Sequence, residues 1–401
     1  MNYGVIAEFN PFHNGHRYLF DTLKKHPDDT VTAVMSESFV QRGECAVVSA
    51  AARAECALRG GADLVLSLPV RFALSGAQSF ARGGVGVLSA MGIIDCLAFG
   101  SECGSAPELI ACAAALQNKK LRDEVYRLTG EGSSYPAAQA AAVSALYGDR
   151  FDKLISSPND ILALEYIKAL KAAAGSIKEI CAVRRCGAAH DSSENENGIA
   201  SASFIRQCMK NGIEFSDYVP ESTYSVLVRE ASEGRAPSDI KRLEEALLYK
   251  FRTSEPGQLL LIEGIDIGLA NRICDAARKA SSLEELYDTV KTKCYTHSNI
   301  RRVCLRAFLG MSGDMFSTRK PPEYIRVLGF NKNGEALLSA AKRRTSLPIV
   351  TKVSEIRKLG VGAQAEFDAE CTARDIFSLA LPQIQPCGLE MTEKIVIINS
   401  D

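Results

Sequence analysis

Two of the five histidines of the chain, His13 and His16, flank Asn14 and Gly15 in a stretch that reads FHNGH. The pair follows an apolar run, residues 5–7, which is predicted to be a short buried strand. Where a strand passes into a helix, the N-terminal amides of the helix attract anions, and a glycine lets the backbone approach a ligand closely. Two imidazole donors at such a place suit the negative charge that develops on phosphate during nucleotidyl transfer. The spacing therefore predicts a phosphate-binding turn.

Other interpretations of the histidine pair stay open. A histidine near the start of a helix is commonly a capping or surface residue. His-x-x-His spacing also occurs in metal sites, but no third ligand is evident nearby, so the sequence predicts no protein-built metal site. His-x-Gly-His alone is a weak four-residue match. Its position after a buried strand, within a strand–helix pattern, is what favours phosphate handling.

The elements that must position the pair alternate between strand and helix in the first half of the chain. Such alternation predicts an α/β fold with a Rossmann-like, doubly wound parallel sheet, in which ligands bind at the carboxyl ends of the strands. The predicted strands are residues 5–7, 30–35, 63–69, 96–100 and 177–183. The predicted helices are residues 50–59, 107–128 and 161–174, and a first helix capped by Asn14 that carries Leu19, Phe20 and Leu23 on one face.

The second half has a different pattern. A polar stretch, residues 191–198, is predicted to be a loop or a domain edge. The chain then reads mainly as helix to about residue 310, followed by strand-like pieces at 324–330 and 347–352. We predict two domains, residues 1–200 with the parallel sheet and residues 201–401 as a mainly helical C-terminal region.

Composition limits the class of protein. The 401 residues carry a net charge of −1, are 46% apolar, and contain no apolar run that approaches the length of about 18 residues needed to span a membrane. The N-terminus lacks the pattern of a signal peptide. Thirteen cysteines are scattered without a Cys-x-x-Cys pair, which favours reduced thiols and a cytoplasmic protein over a disulfide framework or a zinc site.

Charge is distributed unevenly along the chain. Residues 1–200 have a net charge of −3, whereas residues 291–358 contain 15 basic and 4 acidic residues, a net charge of +11. Within that segment, Arg302 and Arg306 fall on one helical face with Arg301 beside them. The local excess favours RNA phosphate contacts by these three arginines, although a solvated basic face is the common alternative.

At this point the chain resembles a known family. The His-x-Gly-His box is similar to that of the nucleotidyltransferases, which share a Rossmann-like fold with class I aminoacyl-tRNA synthetases. The longer string around the box, EFNPFHNGH, resembles the tRNA(Met) cytidine acetate ligases. The stretches that carry this resemblance are EFNPFHNGH (8–16), SESFVQRGE (36–44), GADLVLSLP (61–69), FGSE (99–102), PNDILALEYIKAL (158–170), SASFIR (201–206) and YIRVLGFN (324–331).

The resemblance implies a set of site residues, with His13 and His16 as the catalytic pair. The implied ATP site comprises Ile6, Ala7, Glu8, Phe9, Asn10, Pro11, Phe12, His13, Asn14, Gly15, His16, Arg17, Tyr18, Leu19, Gly100, Asn159 and one of Arg184 and Arg185. Gly100 and the arginine pair end predicted strands, so they should reach the same edge of the sheet as the histidines. A strand-ending glycine, a plain helix cap at Asn159 and a solvated basic pair are the alternatives.

The resemblance also implies an activity and partners. ATP would activate acetate as acetyl-adenylate, and the acetyl group would pass to N4 of the wobble cytidine of elongator tRNA(Met). Residues 1–200 would then be the ATP-binding catalytic domain, with Mg²⁺ expected beside the phosphates, and residues 201–401 the tRNA-binding region. Glu8 and Asp160 are candidates for the base at cytidine N4. The sequence does not give the oligomeric state.

Three departures from the family pattern stand in the sequence. Ser67 occupies a position that is usually acidic, Glu44-Cys45 stands where Glu-Pro is usual, and the run RCGAAHD (185–191) is one residue short, which leaves open which of the paired arginines is equivalent. Two other functions are alternatives. One is a nucleotidyltransferase acting on a small phosphorylated substrate, and the other is a non-catalytic RNA-binding protein on the same fold.

Overall fold

The computed structural model describes residues 1–173, 175–186 and 198–399 and is built around one large sheet. The strands of these residues are β1 (Asn2–Ala7), β2 (Thr30–Ser36), β3 (Phe39–Val40), β4 (Glu44–Cys45), β5 (Leu64–Leu68), β6 (Cys96–Ser101), β7 (Glu179–Arg184), β8 (Ile325–Asn331), β9 (Ile349–Val350) and β10 (Val396–Ile398). The sheet has the order β10-β8-β5-β2-β1-β6-β7, with β9 also paired to β8. Strands β3 and β4 form a separate antiparallel hairpin.

Helices cover both faces of the sheet and form most of the region between β7 and β8. The α-helices of the described residues are α1 (Asn14–Leu23), α2 (Ala50–Arg59), α3 (Val70–Ala73), α4 (Ala77–Ala90), α5 (Ala106–Leu116), α6 (Lys119–Gly130), α7 (Tyr135–Tyr147), α8 (Asp152–Ser156), α9 (Pro158–Ala172), α10 (Ala202–Asn211), α11 (Glu221–Ser232), α12 (Glu244–Arg252), α13 (Pro256–Leu259), α14 (Ile267–Lys279), α15 (Leu283–Val290), α16 (His297–Phe308), α17 (Lys332–Ala341), α18 (Val353–Ile356), α19 (Val361–Leu379) and α20 (Leu389–Thr392).

The predicted parallel α/β architecture is confirmed. The five strands expected in the first half are β1, β2, β5, β6 and β7, and they pair in parallel. Successive side chains of a strand point to opposite faces, so Val5 packs with α1 and α2 while Ile6 packs with α4 on the other side. Both faces of the sheet are therefore buried, as expected for a doubly wound sheet.

The second half contributes to the same sheet. The strand-like pieces predicted near residues 324–330 and 347–352 are β8 and β9, and β8 pairs antiparallel with β5. Strand β10 then adds to β8 in parallel. The sheet thus crosses the boundary placed at residue 200, and the division into two domains stays a prediction. The polar loop predicted at 191–198 lies outside the described residues except for Gly198.

Several helix boundaries differ from prediction. The N-cap of α1 is His13 and not Asn14, which is the first helical residue, because the His13 ring accepts the capping hydrogen bond. The helix predicted over residues 107–128 is divided into α5 and α6 at Gln117 and Asn118. The Asn118 side chain caps α6 by accepting a hydrogen bond from the Lys120 amide. A second helix therefore starts inside a run of residues whose apolar spacing predicts a single helix.

A group of charged residues is buried between β2, β5, β8 and the C-terminal helices, and we call Glu37, Arg326, Glu370 and Glu390 the acid–arginine cluster. Arg326 pairs with Glu37, at 3.5 Å, and with Glu390. Glu370 accepts the first amide of α3 at 2.5 Å. Burial raises the pKa of Glu370, and it raises the pKa of Glu390 to about 7. Ser67, at the position where the family pattern is acidic, donates a hydrogen bond to Glu37 and so adds no further carboxyl group here.

The helical region has its own apolar core, formed by α12, α14, α15, α16 and α19. The β3–β4 hairpin packs into this core through Phe39, Val40 and Cys45. The hairpin therefore joins the sheet to the helical region.

No helix of the described residues is long and apolar enough to cross a membrane.

Candidate active site

A large open cleft lies at the carboxyl ends of β1, β6 and β7, the edge predicted for ligand binding. Its empty volume, counted out to its open mouth, is about 1870 Å³. The start of α1 forms its floor, the start of α9 and the end of β7 form one wall, and the start of α10 and the β3–β4 hairpin form the other. Five segments that are separate in the sequence thus meet at one site.

The histidine pair lies at the start of α1 in this cleft. His13 is 5% exposed, and its Nδ1 accepts the Gly15 amide at 3.0 Å. The Nδ1 atom of His16 accepts the His13 amide at 3.2 Å, which closes a reciprocal capping box. The two rings lie in contact, with centroids 3.8 Å apart and planes tilted by 31°. A Cβ at residue 15 would lie 2.9 Å from the His13 ring, so glycine is required for this arrangement.

This arrangement fixes the protonation of both rings. Burial, with the nearby charges of Arg185 and Arg206, lowers the pKa of His13 to about 3. Burial, His13 and Arg185 lower the pKa of His16 well below its ordinary value. Both rings are therefore neutral at pH 7. Because each Nδ1 atom accepts a hydrogen bond, each ring carries its proton on Nε2. The pair presents two neutral N–H donors to the cleft.

A buried arginine shapes the loop between β1 and the histidines. Arg53 is fully buried, and its Nη1 donates to the carbonyl oxygens of Glu8, at 2.6 Å, and Ser36, at 2.9 Å. Its other N–H groups donate to the carbonyls of Glu37 and Val48. Arg53 thus joins the ends of β1 and β2. This role of Arg53 could not be predicted from the sequence, because its partners are backbone atoms of separate segments.

The loop after β6 and the start of α9 hold each other through two carboxylates. Glu102 accepts from the Asn159 side chain at 2.6 Å and from the Asp160 amide at 3.0 Å. Asp160 is 1% exposed and accepts from Ser101 at 2.5 Å and from the Glu102 amide at 3.0 Å. Asn159 therefore lines the cleft in a fixed position, whereas Asp160 is enclosed beneath it.

Arginines enter the cleft from two sides. Arg184 and Arg185, at the end of β7, both line the cleft and are exposed. The Arg185 side chain crosses Gly100, with its Cγ 3.4 Å from where a Cβ would lie. On the opposite wall, Arg206 of α10 donates from Nη1 to the Asn10 carbonyl at 2.8 Å. The cleft is therefore built for an anion.

Arg206 and the serines at the start of α10, Ser201 and Ser203, were not among the predicted site residues. They line the cleft beside the capped N-terminus of α10, where the Ser201 hydroxyl accepts the Phe204 amide at 3.2 Å. The signal was present, since the string SASFIR was noted as part of the resemblance. The sequence assigned it no role, because nothing local places residue 206 beside residue 10.

The β3–β4 hairpin is fixed from both sides. Inside the cleft, the Gln41 amide donates to Glu8 Oε1 at 2.6 Å. Outside it, Arg302 donates to the Gln41 carbonyl at 3.1 Å and Arg301 pairs with Glu44 at 3.0 Å. The turn residue Gly43 has φ +74°, and a Cβ there would lie 2.6 Å from Arg301 Cβ, so the turn rests directly on α16.

The three arginines predicted to contact RNA are therefore placed differently from expectation. Arg306 is 3% exposed and donates to the carbonyls of Arg71, at 2.8 Å, and Phe316, at 3.1 Å, while also pairing with Glu263. The prediction for Arg306 was wrong, because its side chain points into the protein and has its own partners. Arg301 and Arg302 are partly exposed and hold the hairpin, and any RNA contact by them stays a prediction.

Most of the predicted ATP-site residues meet in the cleft. Those that line it are Ile6, Ala7, Glu8, Phe9, Asn10, His13, Gly15, His16, Tyr18, Leu19, Gly100, Asn159, Arg184 and Arg185. Those that do not line it are Pro11, Phe12, Asn14 and Arg17. Phe12 is fully buried in the core, and Arg17 is exposed and pairs with Asp21. The Asn14 side chain donates to two backbone carbonyls on either side of α10.

Among residues 1–173, 175–186 and 198–399, no group of three or more His, Cys, Asp or Glu side chains is placed to hold a metal ion. The carboxylates that line the cleft are Glu8 and Glu44, beside the histidines and guanidinium cations. Two carboxylates are fewer than the set of oxygen ligands that Mg²⁺ needs for a site built by protein alone.

A parallel sheet, a His-x-Gly-His turn after its first strand and an anion-binding cleft define the nucleotidyltransferase class. The model of the HIGH Nucleotidyl Transferase family matches residues 1–390.

Relatives that align over nearly the whole of both chains make the assignment more specific. The tRNA(Met) cytidine acetate ligase of Thermoanaerobacter sp. (strain X514) is 35% identical over 399 residues, and that of Caldanaerobacter subterraneus subsp. tengcongensis is 36% identical over 401 residues, each alignment covering 98% of both chains. The crystal structure of apo Thermotoga maritima TmcAL has a TM-score of 0.93 at 32% identity, and the one bound with alpha-thio ATP has a TM-score of 0.91 at 33% identity; each covers 100% of both chains. The chain belongs to the tRNA(Met) cytidine acetate ligase family.

Proposed function

We propose that the protein uses ATP to activate acetate as acetyl-adenylate and transfers the acetyl group to N4 of the wobble cytidine of elongator tRNA(Met). The observation that carries this proposal is the histidine pair, which presents two fixed Nε2–H donors in a cleft lined by arginines. The names of the full-length relatives support the choice of substrates.

In the first step, an acetate oxygen attacks the α-phosphate of ATP and pyrophosphate leaves. The enzyme needs no covalent nucleophile for this displacement, and its contribution is positioning and charge stabilisation. The neutral histidines donate hydrogen bonds to phosphate oxygens, while Arg206 and one of Arg184 and Arg185 offset the negative charge. Neutral donors with a fixed direction cost no reorganisation as charge moves onto the leaving pyrophosphate.

ATP enters as its Mg²⁺ complex in this proposal, and the triphosphate itself supplies the metal ligands. No step is assigned to a protein-bound metal, because the described residues include no group of three or more His, Cys, Asp or Glu side chains placed to hold one. Acetate is the proposed acyl donor on the strength of the relatives' names.

In the second step, the wobble base enters the cleft and its N4 amine takes the acetyl group. A base in an anticodon loop can be turned out of its stack and read in a pocket.

The proposed compartment is the cytoplasm, which is consistent with thirteen free thiols, all of them in described residues.

The test is a transfer assay with purified protein, ATP, labelled acetate and in vitro transcribed tRNAs. Label is expected in elongator tRNA(Met) alone, and only when ATP is present. The matched control is an elongator transcript with uridine in place of the wobble cytidine, which lacks the N4 amine and should remain unlabelled. Absence of transfer to every tRNA, under conditions where the protein binds ATP, would contradict the proposal.

A further inference from the structure

We propose that Glu8 is the general base that accepts the proton of cytidine N4 during acetyl transfer. The inference rests on the proposed function and assigns a catalytic residue within it. The reaction needs such a group, because the exocyclic amine of cytosine is a weak nucleophile and loses a proton when it is acylated. General base catalysis of such a step contributes about 10²- to 10⁴-fold.

The position of Glu8 suits this role. It follows the last residue of β1, five residues before His13, and its side chain lines the cleft. One oxygen, Oε1, accepts the Gln41 amide at 2.6 Å, which fixes the orientation of the carboxylate. The other oxygen, Oε2, has no hydrogen-bond partner among the described residues and is free to accept a proton. Burial raises the pKa of Glu8, while the Gln41 amide and the charges of Arg53, Arg206 and Arg42 act to lower it. The net effect is a raised pKa, which makes Glu8 a stronger base than an exposed carboxylate.

The other acidic residues near the cleft are occupied by the protein itself. Glu44 pairs with Arg301 at 3.0 Å. Glu102 accepts amides at the start of α9 with both of its oxygens. Asp160 is enclosed by Ser101 and backbone amides and does not line the cleft. Within the described part of the chain, Glu8 is thus the cleft carboxylate with a free oxygen.

The remaining proton-binding groups of the cleft cannot serve as the base. His13 and His16 line the cleft and accept backbone amides with their Nδ1 atoms, so the proton of each neutral ring is on Nε2. Burial raises the pKa of Tyr166, so its hydroxyl stays protonated. The Cys186 thiol lies at the exposed rim and donates to the Arg184 carbonyl at 4.0 Å.

The step balances as follows. The N4 nitrogen attacks the carbonyl carbon of acetyl-adenylate, a C–N bond forms, and the bond from that carbon to the phosphate oxygen breaks. AMP leaves with the electron pair of the broken bond. The N4 proton moves to Glu8 Oε2 and is released to solvent when the products leave.

The test separates the two half-reactions in Glu8→Gln. Glutamine keeps an oxygen that accepts the Gln41 amide, so the loop should hold its shape, but it cannot take the proton. Acetate-dependent exchange of labelled pyrophosphate into ATP, measured without tRNA, is expected to fall by a much smaller factor than acetyl transfer. Single-turnover transfer to elongator tRNA(Met) is expected to fall by about 10²-fold or more. The decrease of the rate at acidic pH that is expected for wild type should be absent in this variant.

Two further variants distinguish chemistry from structure. Glu8→Asp retains a carboxylate and should retain part of the transfer rate together with its pH dependence. Asp160→Asn disturbs the loop that holds Asn159, so exchange and transfer should fall together. The proposal is overturned if Glu8→Gln transfers within tenfold of wild type, or if its exchange and transfer fall by the same factor. A wild-type protein that exchanges pyrophosphate but acetylates no tRNA would instead overturn the proposed function.

Discussion

The histidine cleft and the acid–arginine cluster are both rich in buried polar groups, but they differ in what those groups face. In the cluster, Arg326 pairs with Glu37 and Glu390, so its charges are directed at one another. In the cleft, each histidine gives one nitrogen to the backbone and presents the other to open space. A buried polar group with a free donor or acceptor marks a site, whereas mutual pairing marks a structural network.

The comparison predicts that disturbing the cluster mainly affects stability. Replacing Arg326 with Met leaves Glu37 and Glu390 buried without their cation, which typically costs about 3–5 kcal/mol. We expect urea unfolding to show a loss of this size, larger at pH 8 than at pH 6, because Glu390, whose pKa burial raises to about 7, can take up a proton at the lower pH. The folded fraction should retain wild-type pyrophosphate exchange per active site. If Arg326→Met kept wild-type stability but lost pyrophosphate exchange, the acid–arginine cluster would act in catalysis and not as a structural network.

Disturbing the cleft should have the opposite result. His16→Ala removes one fixed donor, and the loss of one such donor lowers rates by about 10²- to 10³-fold. We expect acetate-dependent pyrophosphate exchange to fall by that factor, while urea unfolding changes by less than about 1 kcal/mol, since the side chain is only partly buried. Binding of tRNA, measured by filter retention, should survive. Full exchange activity in His16→Ala would refute the phosphate role of the pair.

Two arginines on α16 test the same distinction within one helix. Arg306→Met leaves two buried carbonyls and Glu263 without their donor, and we expect a stability loss of about 2–3 kcal/mol. Arg301→Met removes a pair whose arginine side chain is 33% exposed, and such a pair is worth about 1 kcal/mol or less. Affinity for tRNA should be unchanged in folded Arg306→Met. A large loss of affinity with no loss of stability would restore the RNA-binding prediction for Arg306.

The two regions should also respond to pH with opposite signs. His13 has an ordinary pKa of 6.5 when unfolded but about 3 when folded, so the unfolded chain takes up the proton first and stability falls as the pH drops below about 6.5. Glu390 has an ordinary pKa of 4.5 when unfolded but about 7 when folded, so the folded chain takes up the proton first. Its contribution to stability is present at low pH and is lost as the pH rises through about 7.

Urea unfolding of two variants at pH 7.5 and pH 5.5 checks these signs. His13→Asn keeps a side-chain oxygen that can cap α1, and it should lose less stability on acidification than wild type. Glu390→Gln should lose more. Each difference is limited to about 1.4 kcal/mol per pH unit. Identical pH responses in wild type and both variants would show that neither group titrates differently on folding.

Local sequence was enough to predict the core of the site. The strand at residues 5–7, the turn after it and the parallel arrangement followed from apolar runs and from the type and spacing of the histidines. These features depend on neighbours within about ten residues, where periodicity and turn residues are informative. The positions of Gly100 and the paired arginines followed from the rule that strand ends share one edge of a sheet.

Features that depend on distant partners could not be predicted in this way. Arg306 has the same charge and helical spacing as a surface arginine, and only the packing of α3 and Glu263 against it turns it inward. The burial of Arg53 and the placement of Arg206 beside Asn10 likewise depend on contacts between separate segments. Sequence pattern reports which residues can be charged, but not which of them the fold encloses.

The support of the β3–β4 hairpin by α16 has a consequence for how the protein is made. The hairpin ends at residue 45, yet the helix on which Gly43 rests begins at His297. A chain emerging from the ribosome has its histidine turn long before it has the helix that holds this wall of the cleft, and Arg206 also arrives late. Synthesis of most of the chain is therefore required before ATP can meet a complete set of contacts.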